Sequence, residues 1–472
     1  MRFWSRRKAI DTLTDHAPEH RLRPSLSWPH LLALGVGAIV GTGIYTLIGV
    51  GAGLSGPAVI LSFLIAGAVC ACAALAYAEL ATMMPAAGSA YTYSYAVLGE
   101  ALAWIVGWSL ILEYTVVCAA VAVGWSAHAA EFLGGHGAAV PAALLAGPAA
   151  GGVINLPAVL ITFAVAALLI RGARESAGVN AVLVAVKLVA LVAFVAIAAR
   201  AFNVGHFTPF MPHGFAGRAA DGSKIGVMPA ASIIFFAFYG FDAISTAAEE
   251  TRNPGRDLTI GIIGSMVLCV AIYMAVALAA IGAVPTAVFA QSAAPLVYVL
   301  DSLRHPLAAE LVAAAAVAAL PTVILAFMYG QSRIFFVMAR DGLLPRALSK
   351  VDARTGAPTQ ITLVTAAIAA AIAGFLPLKD IAALANAGTL CAFVAVAVCM
   401  MVLRIRDPQR KRVFRAPLWW LIGPGATLGC LYLFTTLPQV TIGLFFAWNG
   451  AGVVAYLLYG RRASVLARTV QP

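Results

Sequence analysis

The feature that most constrains this chain is a series of apolar segments, each long enough to cross a lipid bilayer as a helix. A helix needs about 20 mostly apolar residues to span the hydrocarbon core. Short polar connections separate the segments, which leaves too little water-compatible surface for a soluble fold. We number the segments as spans one to twelve, and they lie near 30–52, 57–83, 99–128, 155–171, 177–200, 227–249, 258–284, 306–338, 359–377, 382–404, 416–436 and 440–460. The pattern predicts an all-α polytopic membrane protein with twelve transmembrane helices.

The distribution of basic residues predicts the orientation of these spans. Hydrophobic residues make up 62% of the chain and charged residues only 10%, and the net charge is +11. If both termini are cytoplasmic, the inside segments hold 23 of the 30 Lys and Arg residues and the outside segments hold five. Cytoplasmic loops are enriched in Lys and Arg. We therefore expect a multi-pass protein of the cell membrane with both termini cytoplasmic, and we expect no nucleic-acid partner.

Signatures of enzyme chemistry, metal binding or a cofactor do not appear. All seven cysteines lie inside apolar segments, without a CxxC pair or a histidine at ligand spacing. There is no HExxH sequence, nucleophile elbow or phosphate-binding glycine loop, and the glycines of Gly35–Gly43 lie inside a span and not after a strand. The sequence thus predicts neither an enzyme nor a metal site, and no cofactor.

Glycine-interrupted helices open both halves of the chain. The first contains Gly35, Gly37, Gly41 and Gly43, and the second surrounds Gly240 within Phe235–Asp242. Five spans in each half place the second copy upside down in the membrane, and interrupted helices at matching positions of inverted repeats indicate a transporter's binding site. The alternative is that these glycines only allow close helix packing. The predicted units are 1–29 (cytoplasmic tail), 30–200 and 227–404 (repeats), 416–460 (spans eleven and twelve) and 461–472 (cytoplasmic tail).

Three ionisable residues, Glu113, Lys187 and Asp242, lie nearest the middle of their spans. Charged groups in the hydrocarbon region are costly and usually face a cavity or one another. They are candidates for proton coupling, and the alternative is a buried ion network that serves packing alone. Glu79 and Arg333 lie nearer the ends of their spans, where a structural role is expected.

Seven sequence stretches carry a family resemblance, and their order and spacing extend over nearly the whole chain. They are Gly35–Tyr45, Pro85–Tyr93, Arg174–Ser176 with Asn180 and Lys187, Phe235–Asp242, Ala248–Glu250 with Asn253–Pro254, Arg333–Phe335 with Ala339–Gly342, and Asn386–Leu390. With them the chain resembles the bacterial cationic amino acid transporters of the amino acid–polyamine–organocation superfamily. The resemblance implies a leucine-transporter-type fold, with two inverted five-helix repeats and two C-terminal helices.

The same resemblance implies a secondary active amino acid transporter that works by alternating access. The family name suggests cationic substrates, but bacterial relatives of this type also carry neutral amino acids, and in the family Asp242 and Glu113 look committed to helix interactions. We therefore expect proton-coupled uptake of neutral amino acids by a monomeric protein whose partners are its substrate and the lipid bilayer. Alternatives are a cationic amino acid transporter, an amino acid exchanger, or a membrane sensor that does not transport.

The interrupted helices also predict which groups would hold an amino acid. A break at Gly41, Thr42 and Gly43 frees backbone N–H groups at a helix N-terminus, which suits a carboxylate. Freed carbonyls near Ile39 and near Phe236, Ala237 and Tyr239 would accept hydrogen bonds from the ammonium group. Phe236, Phe238 and Phe241 would form pocket walls, although aromatic residues at this spacing also serve simple packing.

Lys187 is the residue that the resemblance connects with ion coupling. Relatives place a lysine of span five where sodium-coupled proteins of this fold hold an ion between spans one and eight. The expected coupling ion is therefore H⁺, with Asp242 as a partner or relay for the lysine.

Overall fold

The computed structural model describes residues 6–13, 22–135, 137, 140–148, 151–219, 224–292, 294–352, 354–376, 378–437 and 439–469. Within these ranges the chain is mainly helical. The helices are α1 (Trp28–Ile39), α2 (Thr42–Tyr45), α3 (Leu47–Ser55), α4 (Val59–Met83), α5 (Ser89–Val97), α6 (Glu100–Gly135), α7 (Leu156–Ile170), α8 (Ala173–Ala198), α9 (Val227–Ile234), α10 (Asp242–Thr246), α11 (Pro254–Ala283), α12 (Thr286–Phe289), α13 (Pro295–Ser302), α14 (Pro306–Arg340), α15 (Thr359–Phe375), α16 (Leu378–Arg406), α17 (Trp419–Thr435), α18 (Gln439–Ala455), α19 (Arg461–Ala463) and α20 (Val465–Thr469). A short antiparallel hairpin pairs β1 (Gly217–Arg218) with β2 (Lys224–Ile225).

Many of these helices have the length and apolarity of transmembrane segments. In the described part of the chain, eight helical stretches are long and apolar enough to cross a membrane, and α1, α7 and α15 are shorter apolar helices. The eight are Leu47–Met83, Glu100–Gly134, Ala173–Ala201, Val227–Thr246, Pro254–Ala283, Pro306–Arg340, Leu384–Arg406 and Gln439–Ala463. This agrees with the predicted multi-pass helical membrane protein.

Both helix interruptions predicted from the glycines are present. Helix α1 ends at Ile39, Val40 is extended, and the helix resumes as α2 at Thr42. In the second half, α9 passes into a 3₁₀ turn, Phe235–Ala237, and α10 begins at Asp242. Gly240 between them has a φ of +115°, a conformation that residues with a side chain rarely adopt.

The two interruptions lie directly against each other. A Cβ atom at Gly43 would lie 2.4 Å from the Cβ of Ala237, and one at Gly240 would lie 2.8 Å from the Cβ of Ala38. Such distances are too short for real Cβ atoms, so both positions need glycine for close packing. Close helix packing, the alternative role considered for these glycines, is thus part of their function, because the missing side chains let the two breaks come together.

Longer helices surround the interrupted pair. Helix α1 packs against α8, α11 and α14, whereas α6 packs against both α14 and α16. Helix α4 packs against α9 and α11. The breaks are therefore enclosed by α4, α6, α8, α11 and α14.

The main chain also joins the segment before α1 to the segment after α10. Ser25 and Leu26 donate backbone hydrogen bonds to the carbonyl of Glu250 at 2.8 and 2.9 Å, and Arg252 donates to the carbonyl of Leu26 at 2.9 Å. Leu26 and Thr251 form a parallel β-bridge. The entry to the first interrupted helix and the exit from the second are thus held together by backbone groups.

Buried ion pairs account for Glu79 and Arg333. Arg404 and Arg412 donate to the carboxylate of Glu79 at 2.5 and 3.0 Å. Arg333 donates to both oxygens of Glu250 at 3.0 Å. Buried charges without partners strongly destabilise a fold. These contacts fit the structural role expected for both residues.

Candidate functional site

A narrow cavity of about 10 Å³ lies at the meeting point of the two interruptions. It is lined by Ala38, Ile39, Gly41 and Gly43 of the first break, Phe236 and Tyr239 of the second, Val117 of α6, and Val323 and Phe327 of α14. Among the described residues no charged side chain lines it. The cavity therefore combines exposed main chain at two helix breaks with apolar side-chain walls.

The first turn of α2 brings backbone N–H groups to this cavity. Ile44 and Tyr45 donate to the carbonyl of Gly41, and Thr42 and Gly43 stand at the start of α2, where N–H groups have no partner within their own helix. Free N–H groups at the start of a helix bind anions. The side chain of Thr42 lies outside the described structure, so only its backbone enters this site.

The helix-end carbonyls of both breaks meet a tyrosine hydroxyl. Tyr273 of α11 donates towards the carbonyl oxygens of Ile39 and Ala237, at 2.7 and 3.0 Å. Each carbonyl oxygen has two lone pairs, so both can accept a further hydrogen bond. The sequence analysis predicted these carbonyls but missed Tyr273, since a tyrosine in an apolar span gives no signal that separates packing from a polar role.

Four of the five aromatic residues between Phe235 and Asp242 fall into two groups. Phe236 and Tyr239 line the cavity and contact each other edge to face, with ring centroids 4.8 Å apart. Phe238 instead packs against Phe63 and Tyr273, and Phe241 packs against Tyr77 and Phe393. Of the predicted pocket walls only Phe236 lines the cavity among the described residues, because Phe238 and Phe241 fill the packing behind the break. Tyr239, which was predicted for its carbonyl, supplies a second ring.

Lys187 reaches from α8 to the first break. Its fully buried side-chain nitrogen donates to the carbonyls of Gly37 and Val40 at 2.9 and 2.6 Å, and to the hydroxyl of Thr322 at 2.8 Å. Thr322 belongs to α14, so the nitrogen lies between α1 and α14. This is the place between spans one and eight that the family resemblance implies.

Asp242 and Glu113 have other partners. Asp242 accepts hydrogen bonds from the hydroxyl of Tyr114 and from the N–H of Gly240, the latter at 3.2 Å. Glu113 accepts from the hydroxyl of Thr389 at 2.5 Å, and its second oxygen has no hydrogen-bond partner among the described residues. Both carboxyls thus lie in the packing between α6, α10 and α16.

Comparison with known proteins identifies the family of this chain. The profile of the family described as amino acid permease matches residues 26–458. The chain belongs to the amino acid permease family. The predicted family resemblance is confirmed, and so is the prediction that the chain is not an enzyme, because permeases move their substrates without changing them.

Curated relatives match this permease over most of its length. It is 42% identical to the branched-chain amino acid permease BcaP of Bacillus subtilis (strain 168) and 38% identical to the methylthioribose transporter of the same organism, in each case over 98% of both chains. It is 39% identical to the vacuolar cationic amino acid transporter 2 of Arabidopsis thaliana, over 86% of this chain and 64% of that protein.

Asp242 was predicted as a partner or relay for Lys187 in this permease. No hydrogen bond or ion pair joins the two residues in the described structure, and each has the separate partners given above, so a direct partnership is not seen. The physical reason is that the C-terminal carbonyls of α1 need donors and Lys187 supplies them, whereas the carboxylate of Asp242 lies at the start of α10 and accepts from Tyr114.

Proposed function

We propose that this permease is a proton-coupled, secondary active transporter of neutral amino acids with branched aliphatic side chains. The observation that carries the proposal is the cavity at the two helix breaks, where main-chain groups of both polarities face apolar walls. A cationic side chain would need a buried acidic partner, and no described residue of the lining supplies one. The relative named a branched-chain amino acid permease supports the same substrate class.

The amino acid headgroup would be bound by the backbone. The N–H groups of Gly41, Thr42 and Gly43 would hold the carboxylate, and the carbonyls of Ile39 and Ala237 would hold the ammonium group. Phe236 and Tyr239 would enclose the side chain together with Val117 and Val323 of the same lining. Every amino acid shares the headgroup, so selectivity would depend on these walls.

Lys187 offers a physical route from proton to substrate. A protonated lysine has three N–H donors, and the structure provides three acceptors: the carbonyls of Gly37 and Val40 and the hydroxyl of Thr322. A neutral amine has only two donors, so one acceptor would lose its hydrogen bond. Gly37 and Val40 stand on either side of Ile39, whose carbonyl belongs to the ammonium site, so loss of the proton would loosen α1 at the substrate.

We further propose twelve spans in two inverted repeats of five, with boundaries as predicted from the sequence. The matching places of the two breaks support the repeat, and α1, α7 and α15 would complete its ten spans together with seven of the eight longer helical stretches. Spans eleven and twelve correspond to α17 and α18. In this topology the permease lies in the cell membrane with both termini in the cytoplasm, and it functions as a monomer.

The decisive experiment is transport by the purified protein in liposomes, with all twenty amino acids and with or without a pH gradient. Leucine, isoleucine and valine should accumulate only when the outside is more acidic, and sodium should have no effect. Accumulation of lysine or arginine in preference to these would overturn the substrate assignment. Exchange without accumulation would show that the protein is an obligatory exchanger and not a proton-coupled transporter.

A second candidate substrate class is suggested by the relative that is named a methylthioribose transporter. A sugar of this kind has neither carboxylate nor ammonium, so it would not use the paired backbone groups. Competition by methylthioribose against labelled leucine tests this alternative. Stronger inhibition by methylthioribose than by any amino acid would favour it.

A further inference from the structure

The side chain of Tyr273 is placed to organise the ammonium half of the proposed site. It is fully buried on α11, and its ring contacts Phe63 and Phe238, with centroids 5.9 and 5.2 Å away. Rings from α4 and from the second break therefore fix its direction. The hydroxyl at its end points to both helix interruptions.

The two carbonyls that Tyr273 contacts are both helix-end groups. Ile39 is the last residue of α1, and Ala237 is the last residue of the 3₁₀ turn that follows α9. Carbonyls at a helix C-terminus lack an intrahelical partner and carry partial negative charge. One hydroxyl proton cannot satisfy two carbonyls fully, so both remain available to a stronger donor such as an ammonium group.

We propose that Tyr273 is a positioning residue for the substrate's amino group, because its hydroxyl holds the carbonyls of Ile39 and Ala237 together as one acceptor pair. Tyr273 is not among the residues that line the cavity, so it acts through these carbonyls. Without the hydroxyl, two carbonyls of like partial charge would face each other with no proton between them, and they would move apart. The inference rests on the proposed function and adds a residue to it.

Lys187 and Tyr273 bind different carbonyls at the end of α1. Lys187 holds the carbonyls of Gly37 and Val40, and Tyr273 holds the one at Ile39. Only Tyr273 also reaches the second break. It therefore sets the distance between the two halves of the ammonium site, whereas Lys187 acts on the first half alone.

The test compares Tyr273→Phe, which removes the hydroxyl and keeps the ring, with Tyr77→Phe as a matched control. Tyr77 is also fully buried among aromatic rings, and its hydroxyl has no hydrogen-bond partner among the described residues. Each purified full-length protein receives a transported amino acid and the carboxylic acid of the same carbon skeleton without its amino group. Competition against labelled substrate gives an inhibition constant for each ligand.

Tyr273→Phe should bind the amino acid roughly five- to tenfold more weakly, the effect of one neutral hydrogen bond, and bind the amine-free acid as the parent does. Tyr77→Phe should leave the ratio of the two constants unchanged. Equal weakening of both ligands, unchanged binding of both, or a Tyr273→Phe protein that does not fold would each overturn the proposal.

Failure of the proposed function gives a different result. In that case the parent protein binds none of the branched-chain amino acids. The ligand pair is then built on whichever of the twenty amino acids the parent does bind, and the comparison of the two variants keeps its meaning.

Discussion

The side-chain nitrogen of Lys187 lies 2.6 Å from the carbonyl oxygen of Val40, the residue at which α1 gives way to the break. The contact joins a titratable group of α8 to the main chain beside the proposed substrate site. In the proposed mechanism it would provide a short route for coupling, since Gly37 and Val40 flank Ile39, which lines the cavity.

Lys187→Ala should abolish accumulation driven by a pH gradient while exchange of labelled for unlabelled substrate persists. The change leaves the buried carbonyl of Val40 without its side-chain donor, at a cost of roughly 1–3 kcal/mol, whereas the carbonyl of Gly37 keeps the hydroxyl of Thr322. A lower melting temperature is therefore expected. Asp242 keeps its hydrogen bonds from Tyr114 and Gly240, so the substitution causes no further loss of stability there. Liposome uptake with only a pH gradient measures the effect.

Lys224→Ala is the control for Lys187→Ala, because Lys224 is exposed in the hairpin. It should transport as the parent does. If folded Lys187→Ala still concentrates substrate, the lysine serves packing only.

Gly41→Ala should weaken substrate binding because its Cβ would lie 2.6 Å from Cγ2 of Val323 and narrow the cavity. The double variant Gly41→Ala with Val323→Ala should recover part of the affinity, since the colliding methyl group is gone. Gly43 is a poorer choice, because any Cβ there meets the backbone of Ala237 at 2.5 Å and disturbs folding as well as binding. Unchanged affinity in Gly41→Ala, measured by equilibrium binding, would place the site elsewhere.

Val117→Ala should shift preference from valine towards larger side chains, because it removes two methyl groups from the wall of the cavity. A difference of this size in an apolar pocket changes discrimination by about tenfold or more. Competition by a series of apolar amino acids provides the measurement. Val121→Ala on the same helix is the control, since Val121 is buried but does not line the cavity.

Single cysteines test the topology on a background without the native ones. Cysteine at Ser292 should react with an impermeant reagent from outside intact cells, whereas cysteine at Lys350 or Lys411 should react only after permeabilisation. Both lysines are exposed in the structure, so access does not limit labelling. Asp221, a further predicted outside position, lies beyond the described residues. Labelling of the Lys350 position from outside would refute the orientation.

The helix breaks were predictable because glycine marks close backbone approach directly in the sequence, as Gly43 and Gly240 do. Lys187 was predictable as a site residue because a lysine within an apolar segment requires a partner. The groups that Lys187 contacts were not predictable, because every residue has a backbone carbonyl and Thr322 looks like any other threonine within a helix. Tyr273 and the separation of Phe236 from Phe238 depend on which face of a helix meets which neighbour. Tertiary packing decides this, and an almost uniformly apolar span gives no periodicity from which to infer it.

The backbone bridge between Leu26 and Thr251 has a consequence for how this protein tolerates change. Main-chain hydrogen bonds do not depend on side-chain identity, and only proline removes the donor. Residues 25, 26 and 252 can therefore be replaced over evolutionary time without uncoupling the two interrupted helices, as long as proline is avoided. These hydrogen bonds depend on the path of the chain and not on its composition, so substitutions other than proline at these positions should keep the same mechanical link.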